Sequence, residues 1–118
     1  MSGADSTRRR LDMEVISSLR DLGGDDLLRE LVDLFRTDAR ERLDELERAL
    51  QAGLAEDVQI AAHTVKSSSG NLGAVWLSET CARIEELARS RDLSGVPPVL
   101  EECRRAFDSA LSDLLALL

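Results

Sequence analysis

The sequence of 118 residues predicts an all-α fold, an antiparallel up-and-down four-helix bundle with a short extra helix at its N-terminal end. Apolar residues recur at three- and four-residue spacing through five segments, which is the period of amphipathic helices. The apolar content is 43% but the aromatic content only 3%, so Leu, Ala and Val supply the core, as is typical of bundles. No alternating pattern of β-strands competes with this interpretation.

The N-terminal region divides into a tail and a first helix. Residues 1–10 are polar and basic without an apolar period, so we expect a flexible tail or linker before a single domain at residues 11–118. A short helix is expected at about residues 12–20, capped by Asp12 and stopped at Gly23 and Gly24. We expect it to lie across one end of the bundle. Its apolar positions are Leu11, Val15, Ile16 and Leu19.

A long second helix begins with a cap at Asp25 or Asp26 and is closed by Gly53. Its core stripe is Leu28, Val32, Phe35, Ala39, Leu43, Leu46 and Leu50. A second apolar strip beside the stripe consists of Leu27, Leu31 and Leu34. We expect the short first helix to cover part of this strip, and the uncovered part to be available to a partner.

The remaining three helices follow with short loops. The third runs from about residue 55 to residue 72 before Gly73, with a stripe of Val58, Ala61, Ala62, Val65, Ser69 and Leu72. The fourth frays at about residues 90–92, and its stripe is Leu77, Cys81, Ile84 and Ala88. Pro97 and Pro98 are tolerated in the first turn of the fifth, where amide donors have no helical partner. Its stripe is Val99, Leu100, Cys103, Phe107, Ala110, Leu114 and Leu117.

Composition excludes several classes of function. Twenty-three acidic against 15 basic residues give a net charge of −8, which argues against nucleic acid and anionic membranes as partners. The sequence has no apolar run of membrane-spanning length and no signal peptide, so we expect a cytoplasmic protein without membrane insertion. Cys81 and Cys103 lie on core stripes and are expected as small core residues rather than a disulfide or reactive thiols. Two Cys and one His cannot complete a four-ligand zinc site without a carboxylate, and no short Cys spacing is present, so we expect no metal.

His63, the only histidine, does not fit the stripe of the third helix. At 100° per residue it points roughly 160° away from the stripe, which places it in solvent. Glycine costs roughly 1 kcal/mol relative to alanine in a helix, and serine is a poor helix former, so propensity is low along this side. Low propensity can mark a functional surface. The neighbours of His63 on that side are Gln59, Ile60, Lys66, Ser67 and Gly70.

An exposed histidine is most often only a solvated surface residue, but the neighbours of His63 favour a function. Lys66 could stabilise an anion bonded to the imidazole, and the small side chain of Ser67 would let a second protein approach. A serine nucleophile is a weaker interpretation, because only Ser67 shares the face of His63 and a filled bundle supplies no oxyanion hole.

Residues 63–74, HTVKSSSGNLGA, are similar to the signature H-x-L-K-G-[SA]-[SA]-x-x-[LI]-G-[AL] of histidine-containing phosphotransfer (HPt) domains of bacterial multistep phosphorelays. The next helix resembles the family pattern L-x(3)-C-x(2)-[LI]-E at Leu77, Cys81, Ile84 and Glu85. The opening residues 11–35 are also similar to the family, so the resemblance covers about residues 11–117. Ser67 departs from the signature, where the family generally has Gly. The added hydroxymethyl group could slow transfer, narrow the range of partners or donate to a phosphoryl group.

The resemblance implies a phosphocarrier that receives a phosphoryl group on His63, at Nε2, from an aspartate of one receiver domain and passes it to another. An unperturbed imidazole is mostly neutral above about pH 6.5, so an exposed histidine can attack without an activating base. Lys66 would offset the phosphoryl charge. The implied partners are response-regulator receiver domains and/or a hybrid histidine kinase. The chain is expected to bind them as a monomer. Mg²⁺ is expected in the receiver, and the chain is expected to need no cofactor of its own.

Other implied roles concern the surface around the histidine. The docking surface should include Gln59, Ile60, Ser67 and Gly70, together with the exposed side of the second helix. Glu85 and Arg89 are expected first as members of a solvated salt-bridging face. The alternative is that they orient the second imidazole nitrogen or touch phosphate.

Other classes of function remain to be weighed. A phosphorylation-independent adaptor that docks a receiver domain or a partner helix is the main alternative, against which the joint presence of His63 and Lys66 argues. The sequence lacks a Gly-rich nucleotide loop, so we expect neither kinase activity nor another enzyme. A metal-carrying bundle is disfavoured because inward-facing Glu and Glu-x-x-His pairs are missing.

Overall fold

The computed structural model describes residues 11–118, and the predicted tail or linker at residues 1–10 lies outside this range. The described chain forms helices α1 (Met13–Gln51), α2 (Ala55–Asn71), α3 (Val75–Arg89) and α4 (Val96–Ala116), with a 3-10 turn at Leu93–Gly95. α2 packs against α1 and α3, and α4 packs against α3 and α1. Because short loops join them, successive helices run antiparallel. The predicted all-α four-helix bundle is confirmed.

α1 contains both of the first two predicted helices, which meet at Gly24. This residue has φ 69° and ψ −167°, a backbone conformation outside the helical region that kinks α1. The predicted break is therefore present. The first helix reaches beyond the predicted end at residue 20, because the chain stays helical until Gly24. As predicted, Asp12 caps α1 by accepting a hydrogen bond from the backbone N–H of Glu14 at 3.0 Å.

The N-terminal arm of α1 (residues 13–23) lies across the end of the bundle formed by the α2–α3 loop and the C-terminus of α4, as predicted. The backbone N–H of Asp12 donates to the Gly73 carbonyl at 2.8 Å, and the Arg20 guanidinium donates to the Leu117 carbonyl at 2.9 Å. Gly73 has φ 72°, and a Cβ there would lie 2.8 Å from the Asp12 carbonyl oxygen. Only glycine fits this close approach without strain.

The predicted stripes of the four long helices form one core. Nearly all of their residues are buried, and the two half-buried exceptions are Leu50 and Leu117. The rings of Phe35 and Phe107, with centroids 5.5 Å apart, join α1 to α4. Cys81 and Cys103 are buried free thiols whose sulfur atoms are 3.5 Å apart. Their prediction as core residues is confirmed.

Candidate functional site

A buried carboxylate, Glu85 of α3, lies at the centre of a cluster of basic side chains. Its side chain is only 8% exposed. Oε2 accepts a hydrogen bond from His63 Nδ1 at 2.9 Å, and Oε1 accepts one from Lys66 Nζ at 2.6 Å, both from α2. Arg89, one turn further along α3, places Nη2 at 3.4 Å from Oε2. One carboxylate therefore links three basic side chains of two helices.

The charge on Glu85 is stabilised by these contacts. Burial would by itself raise the pKa of this carboxyl group, because a poorly solvated environment disfavours the charged form. The hydrogen bonds from Lys66 and His63, together with electrostatic attraction to these two side chains, outweigh burial and hold the pKa of Glu85 below its ordinary value. Glu85 is thus ionised at neutral pH, and its partners make the burial of a charge tolerable.

The expectation of a solvated salt-bridging face is wrong for Glu85, which is buried. Arg89 is compatible with such a face, but it also contacts Glu85 beside the histidine. Arg89 is about half exposed and also pairs with the exposed Glu86 at 2.6 Å. Glu85 stands one helical turn after the core residue Cys81, and therefore on the edge of the α3 core stripe, where α2 packs over it. The four-residue spacing from Cys81 places Glu85 at this edge, but it does not distinguish burial from exposure.

His63 projects outward from α2, as predicted, with 58% of its side chain exposed. An ionised carboxylate can only accept hydrogen bonds, so the hydrogen between Glu85 and His63 is on Nδ1. In the neutral ring Nε2 is then the nitrogen with the free lone pair. Nε2 forms no hydrogen bond with any part of residues 11–118. The site therefore holds one imidazole nitrogen and leaves the other open to a reaction partner.

Lys66 is half-buried beside the histidine, because its ammonium group binds the same carboxylate. The backbone of α2 is also tied to α3 at this point, since the Ser78 hydroxyl donates to the Lys66 carbonyl at 3.3 Å. The positions of the imidazole and the ammonium group are thus set by contacts between two packed helices. This arrangement is suited to holding an anion on the imidazole ring.

The surface around His63 is open and built of small or exposed residues. Ser67 and Gly70 are exposed, and a Cβ at Gly70 would find only the Ser78 hydroxyl, 4.0 Å away. Ile60 is 57% exposed and Gln59 is half-buried. All four predicted docking residues thus reach the surface of α2 around the histidine.

Two clefts lie between α1 and α2 beside this surface. The first has a volume of about 370 Å³ and is lined by Leu31, Leu34, Phe35, Asp38, Ser68, Asn71 and Leu72. Leu34 is 67% exposed, whereas Leu27 and Leu31 are half-buried, so the predicted apolar strip is only partly covered. The second cleft, of about 620 Å³, includes Arg48, Leu54 and Ile60. Apolar side chains therefore reach the surface on the α1 side of α2.

In residues 11–118 no cluster of three or more His, Cys, Asp or Glu side chains is placed to hold a metal ion. None of the four helices is long and apolar enough to cross a membrane.

The described residues form a four-helix bundle that presents one histidine to solvent, backed by a buried carboxylate and a lysine. This combination is suited to a carrier of chemical groups that bond to an imidazole nitrogen. The family model described as "Hpt domain" matches residues 30–117, so the chain belongs to the Hpt domain family.

A solved structure supports this assignment. The crystal structure of histidine-containing phosphotransfer protein B (HptB) from Pseudomonas aeruginosa PAO1 is similar, with 36% sequence identity and a TM-score of 0.86. The match covers 91% of this chain and 92% of that protein. No match was found among curated protein sequences. The prediction of histidine phosphotransfer in a phosphorelay is confirmed.

Proposed function

We propose that His63 is the phosphorylated residue, and that it carries a phosphoryl group between aspartates of receiver domains. The observation that supports this most is the imidazole ring itself, with Nδ1 bonded to the buried Glu85 and Nε2 open to solvent. Family membership implies kinases and receivers of two-component systems as partners. The receiver supplies the aspartate and the Mg²⁺ ion, and this chain supplies the nucleophile.

Phosphoryl transfer depends on positioning and on stabilisation of charge. Glu85 orients the ring through Nδ1, so Nε2 can align with the phosphorus atom and the departing oxygen. Lys66 lies beside the ring and offsets the charge of the phosphoryl group. Arg89, which is half exposed and close to the same carboxylate, is a second cation within this site.

We propose that the receiver docks on the face of α2 around the histidine. Small side chains at Ser67 and Gly70 let its surface come close enough for the reacting atoms to meet. Ile60 and the partly open cleft beside Leu34 offer apolar contacts at the edge of this face, and Gln59 a polar one. Burial of apolar surface would then supply affinity, while the centre stays free for the reaction.

We propose in addition that the chain acts as a cytoplasmic monomer and as a carrier rather than an enzyme, with no nucleotide site or cofactor of its own. Its net charge of −8 supports a protein partner rather than nucleic acid or an anionic membrane.

Transfer from a phosphorylated receiver domain tests the proposal. A receiver labelled with radioactive phosphate is mixed with the chain in the presence of Mg²⁺, and the modified residue is located by mass spectrometry. We expect label on His63 and loss of label from the receiver. A stable complex without any label on the chain would instead favour the phosphorylation-independent adaptor.

A further inference from the structure

We propose that Glu85 keeps the Nδ1 proton on His63 after the ring is phosphorylated, so that transfer in either direction requires no exchange of a proton with solvent. This inference rests on the proposed function. It makes Glu85 a positioning residue that acts through the imidazole and never touches the phosphoryl group.

The geometry of the hydrogen bond supports this role. Glu85 Oε2 lies 2.9 Å from His63 Nδ1, and only 8% of the glutamate side chain is exposed. The Nδ1 hydrogen therefore points to a charged acceptor inside the protein rather than to water. Hydrogen bonds to an ionised acceptor are about twice as strong as those between neutral groups.

The transfer step balances without a proton acceptor. The Nε2 lone pair of His63 forms a bond to phosphorus, and the bond between phosphorus and the aspartyl oxygen of the receiver breaks. The electron pair of that bond leaves with the aspartate, which becomes a free carboxylate. The product ring carries the phosphoryl group on Nε2 and the original hydrogen on Nδ1, so it is an imidazolium ion. In the reverse direction the ring leaves the phosphorus atom as a neutral imidazole, which is a better leaving group than the imidazolate anion.

The charges around Glu85 favour retention of the proton. Lys66 and the imidazolium of His63 face it from α2, and Arg89 from α3, which gives three positive charges. The phosphoryl group carries about two negative charges, and Glu85 and Glu86, which pairs with Arg89, add one each. Loss of the Nδ1 proton would increase this excess of negative charge from about one to about two beside a buried carboxylate.

The Cys81 thiol, one turn before Glu85 on α3, is also a titratable group near this carboxylate. The hydrogen bond with Cys103 and burial raise the pKa of the Cys81 thiol, so it stays neutral and leaves this balance unchanged. Cys103 reaches the site from α4 only through Cys81.

Protonation of the phosphorylated ring can be measured directly. The chain, with ¹⁵N in its histidine, is phosphorylated with phosphoramidate, and the ¹⁵N and ³¹P signals of the phosphohistidine are followed against pH. The variants are Glu85→Gln, which keeps a neutral hydrogen-bond acceptor of the same size, and Glu86→Gln as a control. Glu86 is an exposed carboxylate next in sequence that contacts Arg89 but not His63.

We expect the midpoint of deprotonation at Nδ1 to lie higher in the phosphorylated wild type than in free phosphohistidine measured alongside it, and Glu85→Gln to lower this midpoint by at least about one pH unit, a tenfold loss of proton affinity. Glu86→Gln should titrate like the wild type. A smaller shift in Glu85→Gln, or an equal shift in both variants, overturns the proposal.

Two further outcomes complete the test. If circular dichroism shows that Glu85→Gln does not fold, the wild-type titration alone decides, and a midpoint no higher than that of free phosphohistidine under the same conditions overturns the proposal. Absence of label on His63 would remove the proposed function as well. Label on His63 combined with a midpoint of deprotonation as low as that of free phosphohistidine contradicts this inference only.

Discussion

Two glycines at the end of α2 should respond oppositely to the same substitution, although they are three residues apart. Gly70 is exposed on the helical part of α2, and a Cβ there would meet nothing closer than 4.0 Å. Gly73 lies in the loop that follows, at φ 72°, with Asp12 against it. We therefore expect Gly70→Ala to stabilise the fold and Gly73→Ala to destabilise it.

The magnitudes follow from the local geometry. Alanine is favoured over glycine within a helix by about 1 kcal/mol, and Gly70 has room for the added methyl group. At Gly73 a left-handed backbone costs an L-residue about 1 to 2 kcal/mol. The Cβ would also lie 2.8 Å from the Asp12 carbonyl oxygen. Displacing Asp12 removes its hydrogen bond to Gly73, which adds about 0.5 to 1.5 kcal/mol. The loss should total about 1.5 to 3.5 kcal/mol.

Urea unfolding and thermal unfolding, both followed by circular dichroism, measure the two effects on the same scales. Gly70→Ala should raise the free energy of unfolding by up to about 1 kcal/mol and the melting temperature by about 4 °C. Gly73→Ala should lower both. If Gly70→Ala destabilises the protein, the strip beside His63 is not open as the structure indicates. If Gly73→Ala is neutral, the close approach of the N-terminal arm does not require glycine.

Further substitutions at four positions test the site and the core. His63→Gln should abolish an acid-labile, base-stable label without loss of helical circular dichroism, and label that persists in this variant would contradict His63 as the phosphorylated residue. Phe107→Ala should lower the free energy of unfolding in urea by about 3 to 5 kcal/mol, because Phe107 is 3% exposed and packs on Phe35. A loss below about 1 kcal/mol would mean that the core stripe of α4 is wrongly assigned. Ser67→Gly should keep or raise the rate of transfer from a receiver, and Gln at Ser67 or Gly70 should block it with the fold intact, because bulk there separates the reacting atoms. If the transfer rate falls tenfold in Ser67→Gly and is unchanged in Ser67→Gln, the hydroxyl of Ser67 instead takes part in the chemistry.

Local pattern was sufficient to predict most of the fold. Burial of Val65 and Ile84 and exposure of His63 follow from the helical period, because one face of each helix must be apolar for the bundle to form. Gly24 and Gly73 interrupt the helices where the sequence indicates, since both adopt positive φ angles that other residues avoid.

The state of the imidazole, by contrast, required the packing of α2 on α3. Nothing within α2 identifies which nitrogen of His63 is open, because the partner of Nδ1 is 22 residues away on the next helix. Sequence reasoning included Glu85 among the candidates but favoured a solvated role. A charged residue at the edge of an apolar stripe fits the helical period equally well whether it points to solvent or lies beneath a neighbouring helix.

The sequence by itself determined which side chains line the core, where the helices end and that one histidine faces outward, because these properties depend on residues within a turn or two of each other. Tertiary structure alone decided that Glu85 is buried, that it is ionised between His63 and Lys66, and that Nε2 is the free nitrogen. These properties depend on the distance between atoms of different helices, which the close packing of the core sets to within a hydrogen bond.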